Sequence, residues 1–244
     1  MAQAGFCYVS GAPVLEAQRL TKVYPMGQEQ VRALDRVDFT ALQGDFAVIN
    51  GPSGSGKTTL LNLLALIDRP SEGEVLFEGQ PTSRLSEGEL ALIRRAKIGL
   101  VFQTFNLIPV LSAAENVEYP LLLTKTPRRE RKERVAAILA EVGLAGFERR
   151  RPDELSGGQR QRVALARALV TQPRAVLADE PTANLDSATG KQIMELLQGL
   201  NRDHCVTFLV VTHDPAVIPY AQRVLTIRDG RLQGEERRGE PGTP

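Results

Sequence analysis

Residues 51–58 read Gly51-Pro-Ser-Gly-Ser-Gly-Lys57-Thr58, and this stretch restricts the fold more tightly than any other part of the chain. It meets the pattern G-x-x-x-x-G-K-[ST], with a further glycine at Gly54. Glycine lets the backbone turn sharply enough for successive N–H groups to point inward, so Gly51, Pro52, Ser53, Gly54, Ser55 and Gly56 are expected to wrap around phosphate oxygens. Lys57 supplies a point charge for the β- and γ-phosphates, and the Thr58 hydroxyl is placed as a ligand for Mg²⁺. The flanks agree. Asp45-Phe-Ala-Val-Ile49 reads as a buried strand and Thr58-Thr-Leu-Leu-Asn-Leu-Leu-Ala-Leu66 as an apolar helix. A strand, a glycine loop and a helix N-terminus together make an anion site, because unpaired amides and the helix dipole both favour negative charge.

About a hundred residues later comes Leu155-Ser-Gly-Gly-Gln159, followed by the helical pattern Gln159 to Val170 with apolar Val163, Leu165, Ala166 and Leu169. Ser156 is an N-cap candidate, and Gly157 and Gly158 leave the helix start open to a ligand. Next, Ala175-Val-Leu-Ala-Asp179-Glu180 is a short apolar run ending in two acids. Such a run reads as a buried parallel strand, whose C-terminal end is where open α/β sheets bind ligands. Neighbouring residues on a strand point opposite ways, so the acids should differ in role. Asp179 fits the Mg²⁺ carboxylate of phosphate-loop enzymes, and Glu180 the base that orients and deprotonates water.

With these motifs in this order, the chain resembles a nucleotide-binding subunit of an ABC (ATP-binding cassette) transporter over roughly residues 13 to 233. The resemblance implies an α/β fold: a phosphate-loop NTPase core of RecA-like type, with an antiparallel β lobe and an inserted α-helical subdomain. It implies ATP and Mg²⁺ as ligands, with Thr59 and Gln159 joining the nucleotide contacts. Tyr24 matches the aromatic residue that stacks on adenine. Gln103, after the strand Ile98-Gly-Leu-Val-Phe102, matches a glutamine that contacts Mg²⁺ and the transmembrane partner. Asp186 matches the loop that crosses the dimer interface, and His213, at the end of the strand Val206 to Thr212, the switch histidine on the γ-phosphate. Each chain would carry two half-sites, so that a second copy completes each nucleotide site across a two-fold axis.

Composition sets outer limits. The 244 residues suffice for one sizeable domain, with or without an inserted subdomain. Thirty basic and 29 acidic residues leave a net charge of +1, so no bulk electrostatic case exists for nucleic acid. No apolar run approaches the length of a membrane span, and the first thirteen residues lack the pattern of a secretory signal. Membrane contact is therefore expected only through an integral membrane partner, at the cytoplasmic face. Cys7 and Cys205 lack zinc spacing and read as unpaired thiols.

Along the chain, residues 1–12 form an N-terminal extension and residues 13–233 the nucleotide-binding domain. Val14 to Leu20, Val37 to Leu42 and Glu74 to Phe77 read as strands. The pattern turns helical over about residues 104–170, with Arg128 to Val142 a clear amphipathic stretch. The basic clusters Arg128 to Arg134 and Arg149 to Arg151 could face lipid or an acidic partner; interleaved glutamates favour a solvated helix face for the first. Residues 234–244 are charged and rich in Gly and Pro, and are expected to be disordered.

Phe102-Gln-Thr-Phe-Asn-Leu-Ile-Pro-Val-Leu-Ser112, Glu115 to Leu121, Asn62 to Asp68, Leu177 to Asp186 and Val210 to Asp214 resemble the bacterial LolD/MacB/FtsE group. The group usually has Gly where this chain has Ala183. The resemblance implies a subunit that drives lipoprotein release or efflux of peptides or drugs. Its alternative is an FtsE-like regulatory ATPase that signals through a membrane partner. Phe105, Leu107, Ile108 and Leu111 are expected either to line a groove for the partner's coupling helix or to pack inside the helical subdomain. A soluble ABC protein of DNA repair or translation fits poorly, since there is no tandem cassette and no basic excess.

Overall fold

The computed structural model describes residues 11–27 and 29–238. Its central layer is a six-stranded sheet in the order β10-β9-β3-β8-β7-β6. These strands are β3 (Phe46–Asn50), β6 (Ile98–Val101), β7 (Ala175–Asp179), β8 (Thr207–Thr212), β9 (Arg223–Arg228) and β10 (Arg231–Arg237). All neighbours are parallel except the β9–β10 pair. Strand alternation splits the central side chains between two cores. Phe46, Val48, Val176, Ala178, Phe208 and Val210 enter one, while Ala47, Ile49, Ala175, Leu177, Leu209 and Val211 enter the other. A sheet buried on both faces needs continuous apolar runs, which is why β3, β7 and β8 were legible.

The second core is closed by α1 (Lys57–Leu64) and by a four-stranded antiparallel sheet. Its order is β2-β1-β4-β5, from β1 (Pro13–Met26), β2 (Glu29–Leu42), β4 (Glu72–Phe77) and β5 (Gln80–Pro81). The first core is covered by α3 (Ala113–Leu123), α4 (Arg128–Glu141), α5 (Gly157–Leu169) and α6 (Ser187–His204). Helix α5 packs on α3 and α4 and also on β6 and α6, so it joins the helical layer to the sheet. The architecture is the expected α/β core with an antiparallel lobe and helical insertion.

Several expectations need correction. Helix α2 (Glu87–Lys97) was not anticipated, although Ser86 and Glu89 form a capping box at its start. Residues 234–237, assigned to a disordered tail, belong to β10. There Arg223 of β9 binds Glu235 at 2.8 Å, and backbone pairing holds a strand too polar to show apolar alternation. Arg238 of that tail is held as well, its amide donating to the Gln222 carbonyl at 2.8 Å; residues 239–244 and residues 1–10 of the N-terminal extension lie outside the described residues. Cys205 is disulfide-bonded rather than a free thiol; it caps α6 in a left-handed conformation, a placement that linear spacing does not reveal. Cys7 lies outside the described residues. In the first basic cluster, Arg129–Glu133, Arg134–Glu130 and Arg131–Glu118 pair, as a solvated helix face requires.

Candidate active site

The loop from β3 to α1 is shaped by its neighbours as much as by its own turns. A Cβ on Gly51 would lie 2.2 Å from the Ile227 carbonyl, and one on Gly56 2.4 Å from the Ala33 carbonyl. Gly56 also has φ 102°, a region that side chains disfavour. Helix α1 starts with no side-chain cap and no acid in its first turn, so its amides and dipole are left for an anion. Lys57 lies across the loop, its ammonium donating to the carbonyls of Gly51 at 2.8 Å and Pro52 at 2.9 Å. Ser55 Oγ is buried and finds no hydrogen-bond partner among the described residues. Beside it is a cleft of about 410 Å³ lined by Val31, Ala33, Gly54, Gly56, Lys57, Thr58 and Thr59. An unpaired buried hydroxyl, a resting ammonium and uncapped amides fit a polyphosphate.

At the end of β7, Asp179 accepts a long hydrogen bond from Thr58 Oγ1 at 3.4 Å. Burial raises its pKa, and the Glu180 charge adds to that, against the Thr58 hydrogen bond and the Lys57 charge. A half-buried carboxylate beside a hydroxyl is a suitable donor pair for a hard divalent cation. Glu180 takes a left-handed conformation, φ 47°, with its amide donating to the Val211 carbonyl at 2.9 Å. Its carboxylate is held from β8: the Thr212 hydroxyl donates at 2.9 Å, the His213 amide at 3.1 Å, and His213 Nδ1 lies at 2.6 Å. The two carboxylates point to different neighbours, as strand alternation predicted. Asp179 faces the phosphate loop and Glu180 faces His213.

The remaining candidates stand around this centre. Gln103 is exposed just beyond β6, and its carbonyl accepts from Asn184 Nδ2 at 2.7 Å. Tyr24, on β1, donates its hydroxyl to Asp68 Oδ2 at 2.9 Å. Burial, followed by Asp68, raises the Tyr24 pKa, while the nearby Thr59 works against that shift.

Ser156 caps α5 in a reciprocal capping box: its Oγ accepts from the Gln159 amide at 3.3 Å, and its amide donates to Gln159 Oε1 at 2.9 Å. Gln159 thus secures its own helix start. Gly157 lies against the segment before α6 and Gly158 against the first turn of α6. A Cβ on Gly158 would be 2.5 Å from Thr189 Cγ2, and one on Gly157 3.3 Å from Leu185 Cδ2. Asp186 caps α6, accepting from the amides of Ala188 at 3.1 Å and Thr189 at 3.0 Å. Its pKa is lowered, chiefly by the Thr189 hydroxyl.

One chain therefore gathers Lys57, Thr58, Asp179, Glu180 and His213, with Gln103 alongside. Ser156, Gly157 and Gly158 belong to a different helix, whose partners are α3, α4, α6 and β6, whereas α1 packs on β1, β2, β7 and β8. Sequence reasoning missed Thr212, Asn184 and two fully buried amides. Gln161 donates to the Pro181 carbonyl at 2.7 Å, tying α5 to the segment after Glu180. Asn116 binds Ile108 in both directions, as acceptor at 2.8 Å and donor at 3.1 Å. A lone Asn or Gln inside an apolar helical stripe was the available signal. Phe105, Leu107, Ile108 and Leu111 are half-buried rather than exposed, with Leu107 packed on the first core. The exposed apolar side chains nearby are Val110, Tyr119, Leu122 and Leu123.

Known proteins resemble the chain in sequence and fold. The profile of the ABC transporter family matches residues 34–183. An ABC transporter ATP-binding protein of Thermotoga maritima is 47% identical over 226 residues, covering 93% of this chain and 96% of the relative. A macrolide export ATP-binding/permease protein, MacB, of Sodalis glossinidius is 44% identical over 225 residues; the match takes in 92% of this chain but 34% of MacB. Among solved structures, the ATP-binding cassette MJ0796 of Methanocaldococcus jannaschii, dimeric and bound to ADP and Pi in a post-hydrolysis state, superposes with a TM-score of 0.85. It is 46% identical, over 92% of this chain and 99% of that one. The chain belongs to the ABC transporter family as an ATP-binding subunit, and it is an ATPase.

Proposed function

We propose that this subunit closes onto a second copy of itself when ATP binds and so drives a membrane partner of the LolD/MacB kind. The observation that carries the reading is the separation of Ser156-Gly157-Gly158, on α5, from the phosphate loop that opens α1. An isologous pairing would bring each signature segment to the other chain's loop. The dimeric state of MJ0796 supports this arrangement.

In the proposed site the loop amides and Lys57 hold the β- and γ-phosphates, and Tyr24 stacks on the base. Lys57 exchanges the carbonyls of Gly51 and Pro52 for phosphate oxygens. Thr58, Asp179 and Gln103 would hold Mg²⁺, which supplies charge neutralisation at the β- and γ-oxygens. Glu180 releases the ring of His213, orients the attacking water and takes its proton. His213 then turns to the γ-phosphate, where it and Lys57 stabilise the developing charge. Ser156 and Gly158 of the second copy grip the γ-phosphate, so hydrolysis removes the contact that closes the dimer.

Among the described residues no helix is long and apolar enough to cross a membrane. The subunit acts at the cytoplasmic face through a partner, and the exposed Val110, with Tyr119, Leu122 and Leu123 of α3, offers apolar side chains for it. The similarity to a protein in which ATP-binding and permease parts are fused favours a transporter.

The test is to lock the dimer with Glu180→Gln, extract it from native membranes in detergent and identify what accompanies it. A permease with few spans and a large external domain supports the MacB- or LolD-like reading. A partner that carries a cell-wall hydrolase transfers it to the FtsE-like one. Recovery with no membrane protein overturns both.

A further inference from the structure

The ring of Tyr24 does not stand free on its strand. Its hydroxyl donates to Asp68 Oδ2 at 2.9 Å, and Lys22 Nζ donates to Asp68 Oδ1 at 2.7 Å. Lys22 is pinned further by the carbonyl of Arg69 at 2.7 Å, which places its ammonium over the Tyr24 ring, 4.9 Å from the centroid. Asp68 is itself fixed, because its Oδ1 accepts the Arg69 amide at 2.7 Å and its own amide donates to the Asn62 carbonyl at 3.3 Å. Asp68 follows closely on α1, which begins at the phosphate loop, and Thr59 of the same helix reaches the Tyr24 hydroxyl.

We propose that Asp68 and Lys22 are positioning residues for the base of the nucleotide: Asp68 fixes the Tyr24 ring by its hydroxyl, and Lys22 occupies one ring face, leaving the other for a purine. This rests on the reading of Tyr24 as the base platform. The arrangement references the platform to α1, so phosphate loop and base platform are set by one helix. A ring held in a single orientation loses no rotamer freedom when a base stacks on it, which is the usual advantage of preorganisation. A cation over an aromatic face is attractive in its own right and helps keep Lys22 in place.

The experiment measures binding of ATP and of inorganic tripolyphosphate to the full chain, with thermal unfolding recorded for each variant. Asp68→Ala and Tyr24→Phe should each weaken ATP by about threefold to tenfold, the worth of one freed side chain. Tripolyphosphate affinity should stay unchanged, since it has no base to stack. The double variant should bind ATP no worse than the weaker single one, because both remove the same bond. Tyr24→Phe keeps the ring and leaves Asp68 with Lys22, so it tests the idea even if Asp68→Ala folds poorly. Equal losses for ATP and tripolyphosphate, or ATP affinities within twofold of the parent, overturn the proposal. Tyr24→Ala separates the two levels. If it leaves ATP binding intact while Lys57→Ala does not, the platform reading itself falls. If Tyr24→Ala weakens ATP and Tyr24→Phe does not, only the positioning role falls.

Discussion

Glu180 Oε1 lies 2.6 Å from Nδ1 of His213 and accepts the amide of the same residue at 3.1 Å, so one carboxylate oxygen is gripped twice by one neighbour. The other oxygen takes the Thr212 hydroxyl at 2.9 Å. A base held this way must break the ring contact before it can receive a proton from water. Glu180→Gln keeps an acceptor for the amide but cannot act as a base. Turnover should fall by about 10²- to 10⁴-fold while ATP affinity is preserved and the dimer accumulates. Steady-state hydrolysis alongside size-exclusion chromatography with ATP checks this; near-normal turnover would remove Glu180 from the catalytic role.

Gly158 meets Thr189 across the start of α5. The added methyl of Gly158→Ala would sit 2.5 Å from Thr189 Cγ2, and overpacking of this kind typically costs about 1–3 kcal/mol. Thr189→Ser deletes that methyl while keeping the hydroxyl that binds Asp186 at 2.6 Å. The pair should therefore recover most of the stability lost by Gly158→Ala in urea unfolding. Simple additivity of the two changes would show that the crowding lies elsewhere.

Asn116 is fully buried, and its amide group also serves the carbonyls of Leu111 and Ser112, both at 3.0 Å. Replacing it with Leu leaves several backbone groups of the 108–112 segment without partners. We expect a loss of about 1–3 kcal/mol for each group that water cannot reach, with the Ile108 amide losing hydrogen-exchange protection. Retained protection at Ile108 would show that the loop has another anchor.

The cap of α6 carries a pH dependence. Hydrogen bonds from Thr189 lower the Asp186 pKa below its usual value. A carboxyl whose folded pKa is depressed contributes stability above its unfolded pKa and loses it as pH falls through the folded one. Asp186→Asn retains a capping oxygen without a titratable charge. The stability difference between parent and variant should therefore be constant above about pH 5 and shift against the parent towards about pH 2. Urea midpoints over that range decide the matter; a difference that does not vary with pH rules the titration out.

The parts of the site that were legible share one property: their chemistry is written in neighbouring residues. The loop from Gly51 to Thr58, the Asp179-Glu180 pair and Ser156-Gly157-Gly158 each announce themselves locally. Strands β3, β7 and β8 were equally plain, because burial on both faces imposes unbroken apolar runs. Relations between distant segments were not legible. Nothing in Asn116 indicates Ile108 as its partner, and nothing in Gly158 indicates Thr189. The polarity of Gly234-Glu-Glu-Arg237 likewise hid a strand, since these residues pair through backbone atoms that every sequence has. Phe105 and Leu111 stayed open between a partner's groove and the chain's own packing, because an apolar residue on a loop looks the same whichever covers it.

The phosphate loop is continuous in sequence, but its support is not. Gly51 is packed under Ile227, and Gly230 donates its amide to the Ser55 carbonyl at 3.0 Å. The hairpin of β9 and β10 thus buttresses a loop encoded about 175 positions earlier, a separation that makes its closure a late, non-local event. During synthesis these contacts cannot form until residues 227–230 have emerged. A chain that stops short of them carries the full motif without the two backbone contacts that brace it.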